Sequence, residues 1–492
     1  MDRREFLKVT LAAAAVTVAG LYGLDALKAV NSVSLTLPPI EKVQGQVWPI
    51  GPETRQIISL PEVSQIPHLL RRAGFGGGPA ELAEYEGMGF TGAVDHLLNY
   101  EGIDNSQVPA TPAIVLSYSG TQTGNVLQAL QTWWLQRMVG TTRPLEEKMT
   151  LFWHNHFATG FSKVENGYLM YKQNDFLRTN ALGNFHDILT GMTADGAMLV
   201  WLDGNQNRKG NPNENYAREV MEVFSTGRGP YTEEDVAAGA LAFTGYGIDS
   251  NGDGVFNPNL HDSSIKTFMG TTGNLGPADI IDILVAHPAT ATNLATELFE
   301  FFAYPNPGQD TITRLAQVYL NSGYSIRSLV QAILTSPEFI STQAYLANIK
   351  SPAEYTATAL RSLGATTSSL GGAVAAMGNM GQALFNPPSV FGWPSGSGWI
   401  NTASILARYN FPTMVQTTEE NPASGLDAAE IFGAGVQDGA GVQTIANHLF
   451  PDGVPANLIQ VIDQSTSAIP DAVTRTKDAV RLVMCTPYYN LN

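Results

Sequence analysis

The sequence predicts a mainly α protein: one large helical domain with short β segments and long loops. Three observations carry this expectation. From residue 61 onward, apolar residues recur at three- and four-residue spacing in one segment after another, the period of a helix with a single buried face. The alternation that a half-buried strand requires is confined to short stretches such as AMLVWLD (197–203) and IKTFMG (265–270). The chain has 492 residues, of which 44% are apolar, enough for a substantial core without the composition of a polytopic membrane protein.

At the N-terminus, MDRREFLKVTLAAAAVTVAGLYGL carries Arg3-Arg4 ahead of Phe6, Leu7 and Lys8, followed by an uncharged run from Val9 to Leu24. This reads as a twin-arginine export signal. The run is rich in Ala, Gly and Thr and shorter than the roughly 20 residues of a membrane span, so no transmembrane domain is expected beyond the signal segment, 1–29. Small residues around Leu27-Lys28-Ala29 fit a cleavage site imperfectly, which leaves an uncleaved anchor as the alternative. The expected location is periplasmic, cell-surface or extracellular. Residues 30–60 hold Pro38, Pro39, Pro49 and Pro52 without periodicity and read as an extended tether.

The helical domain occupies 61–492, with its packed part opening near Pro67. Gly87 and Gly89 split AELAEYEGMGFTGAVDHLLNY (80–100) into two short helices. Helical patterns continue through NVLQALQTWWLQRMV, PLEEKMTLFWHNHF, NDFLRTNALGNFHDILTGMT, NENYAREVMEVFS, TEEDVAAGALAFTG, ADIIDILVA, TATNLATELFEFFA and TITRLAQVYLNSG. RSLVQAILTSPEF (327–339) is echoed by KDAVRLVMCTPYY (477–489), each an amphipathic helix stopped by Ser/Thr-Pro. The echo is either an internal duplication or a generic helix stop used twice.

A net charge of −17 disfavours a nucleic-acid partner, which requires a cationic surface. Charged residues make up 14% of the chain against about 25% in ordinary soluble domains, so uncharged polar side chains must cover much of the surface. The single cysteine, Cys485, excludes an intramolecular disulfide.

Seven blocks in order resemble the DUF1800 family of exported bacterial proteins of unknown function. They are HLLRRAGFGGGPAEL (68–82), EKMTLFWHNHFAT (147–159), NRKGNPNENYAREVMEVFSTGRGPYTEEDV (207–236), ALAFTGYGID (240–249), HDSSIKTFMGTTGNL (261–275), IRSLVQAILTSPEF (326–339) and LFNPPSVFGWPSGSGWINTASILARYNF (384–411). The resemblance implies an exported, mostly helical protein, often encoded beside a sulfatase- or alkaline-phosphatase-like exported partner. It carries over no activity.

The chemistry must then be sought in the residues. His154 and His156 flank Asn155 in a run of aromatics. In one continuous helix, residues two apart point about 200° from each other, so both histidines reach one metal only if the helix ends at Asn155 or the segment is extended. The other reading packs one histidine, hydrogen-bonded, among Phe152, Trp153 and Phe157 and leaves the other at the surface. Next, Glu214, Arg218 and Glu222 share one helical stripe with Glu219 beside it, opposite an apolar face of Ala217, Val220, Met221 and Phe224. This is either a solvated face laced by an ion pair or a carboxylate cluster with an arginine counter-ion. Arg208 and Lys209, with Asn213 as cap and Glu214 after it, form a candidate anion loop at the same helix start.

Asp249, Asn251 and Asp253 stand at positions 1, 3 and 5 of a calcium-like loop with Gly254 at 6, but Leu260 replaces the glutamate expected at 12. An ordinary Asp/Asn/Gly turn is the alternative. His261-Asp262 would complete a His/carboxylate site for zinc, iron or manganese with His154, His156 and Glu222. There Glu219 would join them as a catalytic residue around the metal, a metal-bound water of lowered pKa would attack an ester or glycan-like substrate, and Arg218 would orient a carboxylate. Trp393 and Trp399, on a Pro/Gly frame, either plug a core or present a stacking surface. No Gly-x-Ser-x-Gly or His-Glu-x-x-His motif occurs. Two functions follow: a metal-dependent hydrolase or related metalloenzyme of the cell envelope, or a noncatalytic envelope scaffold or binding protein. The sequence leaves open whether the protein is an enzyme.

Overall fold

The computed structural model describes residues 60–118, 125–365, 370–416, 426, 428–432 and 439–492. The expected signal segment, 1–29, and the tether up to residue 59 lie outside them. Leu60, read as the end of the tether, is already anchored: it is buried and its N–H donates to the Ile340 carbonyl.

The fold is mainly α. Where the sequence reads as one helical domain, the backbone divides into two compact units. One comprises residues 60–93, Ile340–Gly381 and Ser395–Asn492; the other comprises Val94–Phe339 and Gln382–Pro394. No described helix is long and apolar enough to cross a membrane.

Helix Glu62–Ala73 begins before Pro67 and carries it inside. Gly89, at φ 66° and ψ 168°, breaks the Pro79–Leu98 helix near the expected glycine pair. In the second unit, Val126–Gly140, Pro144–His156 and Gly167–Thr179 pack together, followed by Phe185–Thr193 and Asn215–Glu222. Pro144 sits at the first helical turn, where its missing N–H costs nothing. Side-chain caps start several helices: Asn166 accepts from Leu169 N, and Thr232 with Asp235 closes a capping box.

AMLVWLD is helical rather than extended, as Gly196–Trp201. The half-buried Asp195 caps that turn, its carboxylate accepting Met198 N at 2.8 Å, and Asp203, at φ 57°, ends it. The local cap overrides the short alternating pattern. IKTFMG does hold a strand, Lys266–Phe268, paired antiparallel with Thr271–Gly273 through Met269 and Gly270, both at positive φ. A second hairpin pairs Tyr246–Ile248 with Gly254–Phe256.

The sequence echo recurs in the order of the helices and in the way the last of them is closed. In the second unit Pro288–Phe302, Gln309–Asn321 and Ile326–Leu334 follow one another; in the first, Gly439–Leu449, Ala456–Thr466 and Ala472–Met484 do. Both series close identically: Ser336 Oγ donates to Ile333 O and accepts Phe339 N, and Thr486 Oγ1 donates to Val483 O and accepts Tyr489 N. A three-helix series with the same hydroxyl lock favours duplication over a generic stop.

Candidate functional site

The Pro144–His156 helix runs through both histidines, so His154 and His156 face different surroundings. His154 is fully buried, with its ring centroid 5.1–5.5 Å from those of Trp134, Phe385 and Trp393, and neither ring nitrogen has a partner among the described residues. Burial pushes its pKa down to about 3, so the ring is neutral. His156 places Nδ1 2.8 Å from Glu297 Oε2 and Nε2 3.2 Å from the Phe224 carbonyl. Asn155, between them, accepts the Trp393 N–H at 2.7 Å through Oδ1. A Cβ at Gly392 would overlap that oxygen, so glycine is required there.

Three consecutive residues thus hold three segments: an aromatic plug, the 386–394 loop, and the end of the Asn215–Glu222 helix. Gln131 Nε2 to Leu384 O, Phe161 N to Phe385 O and Ser162 N to Asn386 Oδ1 anchor the loop further. Its tip presents Phe391, 58% exposed, with the Arg228 guanidinium 5.9 Å from the ring centroid. Arg228 Nε lies 2.5 Å from Glu222 Oε1, and the Tyr231 hydroxyl donates to Glu222 Oε2 at 2.9 Å. The structure therefore brings HNH, the Glu222 helix and the aromatic loop to one surface of this unit. Sequence reasoning missed Phe391, Arg228 and Tyr231; Phe391 sits two residues from the tryptophan that drew attention, and no spacing rule marks which ring of a loop faces out.

The acidic stripe is mostly a solvated, ion-paired face. Arg218 makes two bonds to Glu233 at 2.7 and 2.8 Å and a longer one to Glu214 at 3.4 Å, so it is not free to orient a substrate carboxylate. Tyr231 and Arg228 hold the Glu222 carboxyl below its usual range, whereas burial and the neighbouring Glu222 raise that of Glu219. Glu219 Oε2 is buried without a partner among the described residues.

The five residues expected to share a metal do not form one set. His261 is turned to Thr244, with Nδ1 3.0 Å from its carbonyl, and Asp262 accepts from Ser264 N. Among the described residues no group of three or more His, Cys, Asp or Glu side chains is placed to hold a metal ion. The calcium-like segment is the tip of the Tyr246–Phe256 hairpin. Asp249 Oδ1 accepts Asn251 N and Asp253 N, and Asp253 pairs with Lys172. Gly254 is needed because a Cβ would overlap the Ala194 carbonyl. Arg208 and Lys209 stand on an exposed turn closed by Asn211 N to Arg208 O, with Lys209 N bonded to Leu260 O. Glu214 takes the cap position but makes no cap bond, and Asn213 Oδ1 accepts Asn215 N instead. Trp393 and Trp399 are both buried, 393 in the His154 cage and 399 in the other unit, so neither offers a stacking face.

A buried ion cluster also escaped the sequence. Glu147 accepts from Arg137 Nε at 2.7 Å, Arg178 Nε at 2.8 Å and Trp134 Nε1 at 2.9 Å. Burial opposes the charged form, but the two arginines overcome it and hold the carboxyl below its usual value. The available signal was Glu146-Glu147-Lys148 inside a helix with no polar face.

Fold and surface together define a mainly α protein that displays an anchored aromatic loop beside an ion-paired helix. The chain belongs to the DUF1800 family, described as proteins of unknown function, whose model matches residues 68–491. No curated protein and no solved structure matches it.

Proposed function

We propose that the protein is exported by the twin-arginine route and acts in the cell envelope as a noncatalytic binding or scaffolding protein. Its docking face is the Phe391 surface, and its partner is a sulfatase- or alkaline-phosphatase-like exported protein. One observation carries the reading: Asn155 and His154 both hold Phe391's loop through Trp393, while His156 is committed to Glu297 and the Phe224 carbonyl. A rigid exposed ring flanked by arginine and tyrosine has the composition of an interface hot spot.

The test is binding of the full chain to an exported sulfatase- or alkaline-phosphatase-like protein. Phe391→Ala and Arg228→Glu should each weaken that binding by about tenfold or more while shifting stability by less than about 0.5 kcal/mol. Equal binding by both variants, or no complex with the wild type, overturns the proposal.

A second reading keeps the hydrolase, with zinc, iron or manganese as its metal, and rests on Glu219, whose raised carboxyl beside Glu222 suits a general acid. Near-stoichiometric transition metal in chelator-free protein, with an esterase or glycosidase activity lost in Glu219→Gln, would favour it over the scaffold.

A further inference from the structure

Helix Val126–Gly140 buries Leu130, Trp134 and Met138 and carries a row of uncharged polar side chains on the opposite flank. Asn125, Gln128, Thr132 and Gln136 follow one another at three- or four-residue spacing, which sets them about 5–6 Å apart along one face. In the unit that contains Val94–Phe339, this row lines a cleft of ≈ 320 Å³ whose other wall is Ala110 and Pro112. Trp133 also lines it, and none of the described residues around it is charged.

The two walls are tied together. Thr111, between Ala110 and Pro112, donates its hydroxyl to Tyr171 Oη at 3.2 Å, and the Tyr171 ring meets Trp133 edge-on at 5.5 Å. Arg137 and Arg178 pack over the Trp133 ring at 5.5 and 5.2 Å and pair with Glu147, so their charge is satisfied outside the cleft. Trp133 is 3% exposed, and its indole N–H has no hydrogen-bond partner among the described residues. Asn125 occupies the N-cap position, yet its side chain makes no cap bond, so the helix does not use its amide.

We infer that this cleft binds a neutral saccharide of about one or two sugar units, held by the Asn125 and Gln128 amides, the Thr132 hydroxyl and the Trp133 indole N–H. Amides and hydroxyls each donate and accept, as sugar hydroxyls do, whereas a charged ligand would find no counter-ion here. A ligand oxygen would satisfy the indole donor, whose burial without a partner is costly. A peptide fits less well. A helix face has no free backbone edge for strand addition, and the lining lacks the large aliphatic anchors that seat an amphipathic helix. The site is separate from the Phe391 surface, none of whose residues line it.

The test is isothermal titration of the full chain with cellobiose, maltose, lactose and N,N′-diacetylchitobiose, with glucuronate and a neutral blocked tripeptide as comparisons. At least one of these disaccharides should bind saturably with a Kd of about 1 mM or tighter, and more tightly than either comparison. Gln128→Ala and Thr132→Val, both at positions that reach solvent, should each weaken that binding by about threefold or more. Trp133→Phe, which keeps a ring and removes the N–H, should weaken it as well, and Phe391→Ala should leave it unchanged. No saturable binding of any disaccharide, binding unaltered in Gln128→Ala or Thr132→Val, binding lost in Phe391→Ala, or tighter binding of the tripeptide or glucuronate overturns the inference.

Discussion

The Asn155 side-chain oxygen accepts the Trp393 backbone N–H at 2.7 Å, joining residues 238 apart in sequence. Gly392 sits against the same oxygen with φ 73°, so side chain and loop backbone are fitted to each other. Gly392→Ala should therefore cost about 2 kcal/mol or more in urea unfolding, from the steric overlap and the left-handed φ. Asn155→Ala should cost about 1–3 kcal/mol by orphaning the Trp393 N–H. In the Asn155→Ala background the Gly392→Ala penalty should shrink; strictly additive penalties would mean that the two residues do not act as one clamp.

His154 makes stability depend on acid. Below pH 6.5 the unfolded chain takes up a proton that the folded cage refuses until about pH 3, so stability present at neutral pH is lost as pH falls between those values. The loss across that window is worth up to about 4–5 kcal/mol. His154→Phe keeps an aromatic ring and removes both unpartnered nitrogens. Its acid midpoint, followed by near-ultraviolet circular dichroism, should move to lower pH; an unchanged midpoint would show that the histidine does not stay neutral in the fold.

The Glu147 carboxylate bridges Arg137 and Arg178. Glu147→Gln leaves both guanidinium groups near a neutral amide in a buried setting, at a cost of about 3–5 kcal/mol. Denaturant unfolding would register it directly, and a change below about 1 kcal/mol would mean that solvent reaches the cluster.

Asp195 acts in the opposite sense to His154. Burial pushes its pKa up to about 6 from 3.8, against the bonds from Met198 N and Gln173. The folded state therefore holds the proton more tightly than the unfolded chain, and the resulting stabilisation is complete below pH 3.8 and lost as pH rises through 6. Asp195→Asn preserves the cap and carries no charge. Its melting temperature should exceed that of wild type at pH 7 and converge with it near pH 4; a lower value at pH 7 would show that the ionised carboxylate is the better cap.

Much of the helical architecture was legible because a helix needs only a local period and a cap. NVLQALQTWWLQRMV and PLEEKMTLFWHNHF became the helices Val126–Gly140 and Pro144–His156, and the Gly89 break and the Ser/Thr-Pro stops fell where the residues placed them. The candidate site was legible in its segments but not in its roles. HNH, the Glu222 helix and the aromatic loop do meet, yet the exposed ring is Phe391 rather than a tryptophan, and Arg218 is committed to Glu233, which the helix stripe does not contain.

What the residues determined unaided was periodicity, capping, composition and family membership, each set by neighbours within a few positions or by the whole order of the blocks. Tertiary structure alone decided which polar side chains were buried and with whom. His154 and His156 are two residues apart and chemically alike, but one meets three aromatic rings and the other a carboxylate. A side chain's charge state and availability follow from desolvation and from partners brought in across hundreds of residues, as Trp393 is to Asn155, and local sequence carries no record of either.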